Sequence, residues 1–303
     1  MIVVVSGASG LVGSALVPFL RGVGHRVRCL VRPGGHAAPD DIPWDPARGR
    51  LEASALSGCD AVVHLAGENI AARRWSDEQR RRLRDSRVGP TGLLARALAG
   101  TPRPPRVLVQ ASATGYYGDR GDEVLSESSP PGRGFLPGLC VEWEQASAPA
   151  AAAAIRVTQV RFGIVLSARG GALHKMLTPF RLGIGGPVGS GRQYWPWIGI
   201  DDAVGIVARA LEDESLRGPI NVVSPQALTC REFTSALGRA LRRPAVIPLP
   251  ALALRLALGD MSTLLLESVR AVPERLQQAG YRFQHPGIED ALRHALSRRA
   301  RRP

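Results

Sequence analysis

Apolar residues open the chain in short bursts separated by helical patterns. Residues 2–5 are four apolar residues in a row, the mark of a strand buried on both faces. Residues 11–23 have helical spacing and run out at Gly24, placed as a C-cap. Residues 26–32 alternate as a second strand, and 61–66 form a third apolar run. A long helical stretch covers 75–99. It opens on Ser76 with Gln79 three residues on, the spacing of a capping box, and Gly89-Pro90 interrupts it. Residues 107–111 predict a fourth strand and 155–162 a fifth; between them, Pro137 and Pro149 confine a helix to the middle of 135–154. Strands alternating with helices predict an α/β fold: a doubly wound parallel sheet with right-handed crossovers.

The texture changes after Gly163. Residues 169–197 are rich in glycine and carry Tyr194, Trp195, Pro196 and Trp197, which reads as loop structure over a cleft. Asp201 or Asp202 is placed to cap a helix running to Leu211, 219–223 is strand-like, and Thr229 with Glu232 forms a capping box for a helix to Leu241. Short helices follow. No internal repeat is present. The expected division is a nucleotide-binding domain over 1–165, a mixed substrate-side region over 166–297 with segments returning to the sheet, and a disordered basic tail over 298–303.

Composition removes several classes. With 45% hydrophobic and 21% charged residues, the chain can bury a core, so wholesale disorder is excluded. Cys29, Cys59, Cys140 and Cys230 are far apart, so neither a zinc ribbon nor a thioredoxin-type motif exists and no metal site is expected. Free thiols point to a reducing, cytoplasmic setting. The start lacks a basic segment and the apolar length of a signal peptide, and no run reaches the roughly 18 apolar residues of a membrane span.

The first chemistry sits directly after the first strand. Gly7, Gly10 and Gly13 in Ser6-Gly7-Ala8-Ser9-Gly10-Leu11-Val12-Gly13 permit a tight turn, a close backbone approach to a pyrophosphate, and close packing of helix on strand. The helix N-terminus offers unpaired N–H groups and a positive dipole to the anion. At the end of the second strand an Asp or Glu would select NAD. The sequence instead reads Cys29-Leu30-Val31-Arg32-Pro33, and Arg32 suits a 2′-phosphate. The expected cofactor is therefore NADP(H).

With these residues the chain resembles the extended short-chain dehydrogenase/reductases, and more closely the atypical "epimerase family" branch of NADP-dependent, sugar-nucleotide-epimerase-like proteins. The resemblance rests on SGASGLVG, the HLAGENI segment (64–70), RRW with SRV (73–88), SATGYYGD (112–119), Trp143-Glu144, RFGIVLS (161–167) and GGPVGSGRQYWPWIGIDD (185–202). It runs from about residue 1 to 296. It implies a Rossmann domain with a smaller C-terminal substrate-side region. It also implies that Ser9, Leu11 and Val12 join the three glycines at the cofactor, that Leu65, Ala66, Gly67 and Glu68 form a loop passing its ribose and pyrophosphate, and that Arg87 reaches a phosphate or ribose. Gly163 and Ile164 would pass the nicotinamide. Homodimers through a bundle of two long helices are common in such relatives, though the charge on 75–99 argues that much of it faces water.

The superfamily's chemistry usually rests on Ser, Tyr and Lys, the Tyr as acid/base and the Lys four residues later lowering its pKa. Lys175 is the only lysine and residue 171 is Gly, so no Y-x-x-x-K exists in the chain. The usual slot is held by Phe135 and Leu139 or by Leu136 and Cys140, depending on register. Ser112 and Thr114 persist at the end of the fourth expected strand, and Tyr116 is the phenol offered as acid/base; Tyr117-Gly118 resembles a structural pair. Glu68 orients a ligand, acts as a base, or is structural. Arg192, Tyr194 and Trp197 are placed on the substrate side. Gly199 stands where related sequences have the His of W-I-H-x-x-D.

Net charge is +13, and residues 73–87 hold seven arginines against Asp77, Glu78 and Asp85. No nucleic-acid-binding motif accompanies them, so a solvated helix face and phosphate-bearing small ligands are expected instead. Three readings follow: an NADP(H)-dependent oxidoreductase or epimerase-like enzyme with an altered centre, a non-catalytic NADP(H) sensor or scaffold, and a nucleic-acid-associated protein.

Overall fold

Val3 and Val5 pack to one side of the first strand and Val4 to the other, and that alternation sets the architecture. The structure is a computed structural model that describes residues 1–35 and 38–297; the expected tail at 298–303 lies outside the described residues. In chain order the strands are β1 (Ile2–Ser6), β2 (Arg26–Val31), β3 (Ile42–Asp45), β4 (Arg50–Leu51), β5 (Ala61–His64), β6 (Val107–Ala113), β7 (Val124–Leu125), β8 (Arg156–Phe162), β9 (Ile164–Leu166), β10 (Trp197–Gly199), β11 (Gly218–Val222) and β12 (Arg270–Ala271). The central sheet has eight strands in the order β11-β8-β6-β5-β1-β2-β3-β4. All neighbours are parallel except β3 and β4. Parallel strands buried on both faces need helices above and below.

The helices are α1 (Gly13–Gly22), α2 (Asp77–Asp85), α3 (Val88–Ala99), α4 (Phe135–Gln145), α5 (Ala148–Ala152), α6 (Gly171–Arg181), α7 (Ile200–Glu212), α8 (Cys230–Leu241), α9 (Ala251–Leu258), α10 (Thr263–Leu266), α11 (Glu274–Gln278) and α12 (Ile288–Ser297). Leu16 and Leu20 of α1 join Val204 and Val207 of α7 over Val3 and Val5. Leu94 and Leu98 of α3 cover Val4, Val62 and Leu108 on the opposite face. A further core gathers Leu173, Trp197, Phe233 and Leu292 from β10, α6, α8 and α12. Each fully buried Leu or Phe contributes about 1.5–3 kcal/mol. No helix among the described residues is long and apolar enough to cross a membrane.

Several local expectations are corrected. The 75–99 stretch breaks at Ser86-Arg87, three residues before Pro90, because a proline lacking its N–H fits the first turn of a new helix. Pro137 and Pro149 likewise sit in the first turns of α4 and α5. Ser76 accepts from the Gln79 backbone N–H, but the Gln79 side chain reaches Glu68 instead of closing a capping box. Asp201 and Asp202 lie inside the first turn of α7, whose cap is Gly199; Asp202 accepts from the N–H groups of Gln284 and His285. Strands β3 and β4 carry no clear sequence pattern.

Candidate functional site

The sheet reverses direction between β1 and β5: β2 and β3 lie beyond β1, and β6, β8 and β11 beyond β5. Such a switch point opens a crevice at the carboxyl ends of the strands. Ser6 is in register with His64, His64 with Gln110, and Ala113 with Phe162, so the segments beginning at Gly7, Leu65, Thr114 and Gly163 leave the sheet along one edge.

Gly7 has φ +71°, and a Cβ there would come within 2.7 Å of the Leu65 carbonyl carbon and 2.8 Å of the Ala66 nitrogen. A Cβ on Gly13 would stand 2.2 Å from the Gly7 oxygen. The two loops therefore pack backbone on backbone, with no room for side chains. No side chain caps α1, and the N–H groups of Leu11, Val12 and Gly13 have no partner among the described residues. Exposed Ser9 and Gly10 flank this bare turn. A glycine cradle at an uncapped helix N-terminus fits a dinucleotide pyrophosphate.

Beneath the cradle, His64 bridges Ser6 Oγ (2.6 Å) and Thr91 Oγ1 (3.0 Å), and the Trp143 indole N–H donates to the same Thr91 hydroxyl. Burial lowers the His64 pKa to about 4, so the ring is neutral at pH 7 and serves as a spacer.

Arg32 stands exposed at the end of β2, on the rim of an open cavity of about 600 Å³. Val31, Gly34, Trp44, Arg48 and Arg50 line the same cavity. Three guanidinium groups thus border the place where β2 ends.

Arg87 is placed differently from a free phosphate ligand. It is 8% exposed and donates to the carbonyls of Leu83 and Glu68 and to Ser86 Oγ, with its guanidinium over the Trp143 ring. It holds the Gly67-Glu68 loop in place. The Glu68 side chain accepts from Gln79.

The slot of the usual catalytic pair is apolar. Leu136 packs on Gly115, and Cys140 is buried with its thiol pushed up to about 12 by desolvation, so it stays a protonated thiol at neutral pH, too weak an acid to relay a proton. In its place lies a polar chain. Ser112, 2% exposed, donates to Glu144 Oε1 at 2.6 Å. Glu144 meets Arg161 in two prongs, each 2.8 Å. Arg161 donates to the Tyr117 hydroxyl, which in turn has Asn221 Oδ1 at 2.7 Å. Tyr117 is buried and its pKa is pushed up to about 12, the desolvation outweighing Arg161. Tyr116 is half-buried with its ring face 3.4 Å from the Arg161 guanidinium carbon. Thr114 spends its hydroxyl on the Phe162 carbonyl.

Glu144 and Arg161 lie in motifs that carry the resemblance, but sequence alone assigned neither a role at the site. Their signal was an acid on a largely apolar helix and an arginine near the end of a buried strand. Gly163 lies where β8 passes into β9; a Cβ there would come within 2.7 Å of the Pro196 oxygen, and the Ile164 N–H donates to that oxygen. Of the expected substrate residues, Arg192 is exposed and Tyr194 is half-buried under Arg270. Trp197 is corrected. Its ring is 1% exposed in the core, with its N–H on the Gln226 carbonyl, so no ligand can stack on it.

Three of the seven arginines of 73–87 pair with carboxylates of the same chain. Arg80 pairs with Asp260, Arg82 with Glu78 and Arg84 with Glu142.

Comparison with known proteins fits this geometry. Residues 3–223 match the NAD dependent epimerase/dehydratase family, and 249–295 match a domain of unknown function, DUF1731. The chain is 43% identical over 298 residues to epimerase family protein Mb2239 of Mycobacterium bovis, covering 98% of both chains. It superposes on the human epimerase family protein SDR39U1, crystallised with NADPH, with TM-score 0.90 at 37% identity, covering 98% of this chain and 99% of that one. A nucleoside-diphosphate sugar epimerase of Corynebacterium glutamicum is similar at TM-score 0.82 and 36% identity, covering 98% of this chain and 58% of that one. A Rossmann-type parallel sheet with a glycine cradle at its switch point, matched over nearly the whole chain, makes this protein a member of the NAD dependent epimerase/dehydratase family, in its SDR39U1-like epimerase branch.

Proposed function

We propose that the protein is an NADP(H)-binding oxidoreductase or sugar-nucleotide-epimerase-like enzyme that works without the Tyr-x-x-x-Lys pair. The observation that carries this reading is the bare α1 N-terminus over the Gly7–Gly13 cradle, with Arg32 at the end of β2. Leu11 to Gly13 would hold the pyrophosphate, and Arg32, with Arg48 and Arg50 on the same cavity, the 2′-phosphate. The NADPH in the human relative supports the choice of cofactor. When bound, a nicotinamide supplies a hydride donor or acceptor. Gly163 and Ile164 would border its ring; Ser112 and Tyr116 face the same edge of the sheet. The substrate is a small molecule held on the side of Arg192 and Tyr194. Buried free thiols support a cytoplasmic setting. Internal pairing of three of the 73–87 arginines speaks against nucleic acid as a partner.

The test is calorimetric titration with NADPH and NADH, followed by deuteride transfer from labelled NADPH to a panel of carbonyl compounds and nucleotide sugars. NADPH binding at least tenfold tighter than NADH, about 1.4 kcal/mol, with label appearing in a product, is expected. Failure of both cofactors to bind overturns the reading.

A second reading, a non-catalytic NADP(H) sensor or scaffold, is favoured by one observation: the Ser112 hydroxyl is committed to Glu144 and the Tyr117 phenol to Arg161 and Asn221. Tight NADPH binding with no transfer across the panel selects it.

A further inference from the structure

Three residues that no sequence motif links meet where the end of the described chain packs back on the fold. Asp201 lies in the first turn of α7, His285 in the segment leading to α12, and His294 in the last turn of α12. Each offers one ligand atom, and these atoms lie within 4.8 Å of one another. The two imidazoles stack with centroids 4.4 Å apart and planes at 28°. Asp201 Oδ2 is 2.6 Å from His294 Nε2, and Asp290 Oδ2 is 2.5 Å from His285 Nδ1. The other Asp290 oxygen faces Arg293 at 3.8 Å.

We propose that Asp201, His285 and His294 bind a divalent transition-metal ion of the zinc class, with Asp290 positioning His285. Two imidazoles and one carboxylate are the donor set of zinc and its neighbours, whereas calcium and magnesium take oxygen ligands. A carboxylate on Nδ1 fixes that nitrogen as the donor and leaves Nε2 for the ion, the arrangement common behind metal-bound histidines. Charge agrees. The Asp201 and Asp290 carboxylates, with Arg293 3.8 Å from the latter, leave the cluster with an excess of negative charge that suits a cation. The His285, Asp201 and His294 side chains are 16%, 24% and 37% exposed, open enough for an ion to enter and keep a water.

Ligands of one tetrahedral zinc stand roughly 3.4 Å apart, from bond lengths of about 2.0–2.2 Å. Entry of the ion therefore displaces the proton shared by Asp201 and His294 and parts them by under about 1 Å. The filled site would staple the end of α12 to the start of α7.

The experiment uses the tag-free full chain, stripped with a chelator and titrated with Zn²⁺ by calorimetry. One equivalent and a rise in melting temperature are expected. His285→Ala and His294→Ala should each weaken binding at least a hundredfold, and Asp290→Asn about tenfold. Cobalt substitution of the unmutated chain should give d–d bands without a thiolate charge-transfer band, a readout that does not depend on any variant folding. No stoichiometric binding, binding undiminished in the double His variant, or thiolate ligation would each overturn the proposal.

Discussion

The Ser112 hydroxyl donates to Glu144 across 2.6 Å, and the same carboxylate closes a two-pronged ion pair with Arg161. A serine at the end of a strand facing the cofactor edge is thereby tied to a buried charge pair instead of pointing freely at a ligand. The result is a rigid, charged floor beside Ser112. Tyr116 rests on that floor through Arg161, and Tyr117 is locked into it.

Breaking the pair from both sides should therefore cost less than the two single breaks added together. The Arg161 and Glu144 side chains are 3% and 12% exposed, so a lone survivor stays buried and uncompensated. Arg161→Met or Glu144→Leu alone should destabilise by about 3–5 kcal/mol, and the double variant by clearly less than their sum. Urea denaturation of the four proteins in the cycle measures this; strict additivity would mean that the two groups do not depend on each other.

Ser112→Ala separates structure from catalysis. The Ser112 hydroxyl donates to Glu144, its only partner among the described residues, so its removal should lower stability by about 1–3 kcal/mol, as for a hydrogen bond to a charged group, and leave NADPH affinity within twofold. If turnover with a substrate found in the carbonyl panel falls a hundredfold while the melting temperature is unchanged, Ser112 acts on the substrate and the hydrogen bond to Glu144 yields during the reaction.

His64 sets an acid limit on stability. Its folded pKa lies at about 4, below the ordinary value of about 6.5. The unfolded chain therefore binds the extra proton between those values. Stability from this group is complete above pH 6.5 and is lost as pH falls toward 4, by on the order of 3 kcal/mol. In His64→Gln that part of the pH dependence should vanish. Denaturation midpoints at pH 7 and pH 5 for both proteins check it.

Much of the sheet was legible because buried parallel strands leave apolar runs and helices leave a 3.6-residue period. What escaped has specific causes. β3 reads Ile-Pro-Trp-Asp, and a four-residue strand holding a proline looks like a turn. A glycine-rich segment with aromatics reads the same whether its rings face a cleft or a core, which is why Trp197 was misplaced. Arg87 is basic and near the right loop, yet its donors go to carbonyls that only the folded chain brings close. The Glu144–Arg161 pair spans a strand-to-helix packing contact, and Asp201 is 84 residues from His285. No local period records either meeting. The glycine cradle was legible because its constraints are local, the turn, the close approach and the helix start all falling within seven residues.

That cradle should tolerate no methyl group at its tightest point. A Cβ on Gly13 meets the Gly7 oxygen at 2.2 Å and the Ala8 Cα at 2.8 Å, all backbone, so the loop itself must move. Gly13→Ala should destabilise by about 1–3 kcal/mol and weaken NADPH at least tenfold. Gly22→Ala, at the other end of the same helix with nothing within 4 Å, should be neutral or slightly stabilising and bind as before. Equal NADPH affinity in the two variants would mean that the pyrophosphate does not sit on this turn.

The proposed role of Arg32 is to hold the 2′-phosphate. Arg32 is exposed, with no side-chain partner among the described residues, so Arg32→Ala should leave the melting temperature within about 1 °C. NADPH affinity should fall by about tenfold to a hundredfold, the scale of a charge-assisted contact of roughly 1.5–3 kcal/mol, while NADH affinity holds. Arg48 and Arg50 border the same cavity, so part of the preference for the phosphate should survive, and Arg32→Ala combined with Arg50→Ala should remove it. Titrations of both cofactors against the three proteins decide the matter. A parallel loss of NADH and NADPH affinity would place Arg32 on the adenine or ribose, and an unchanged ratio would take the cofactor preference away from the end of β2.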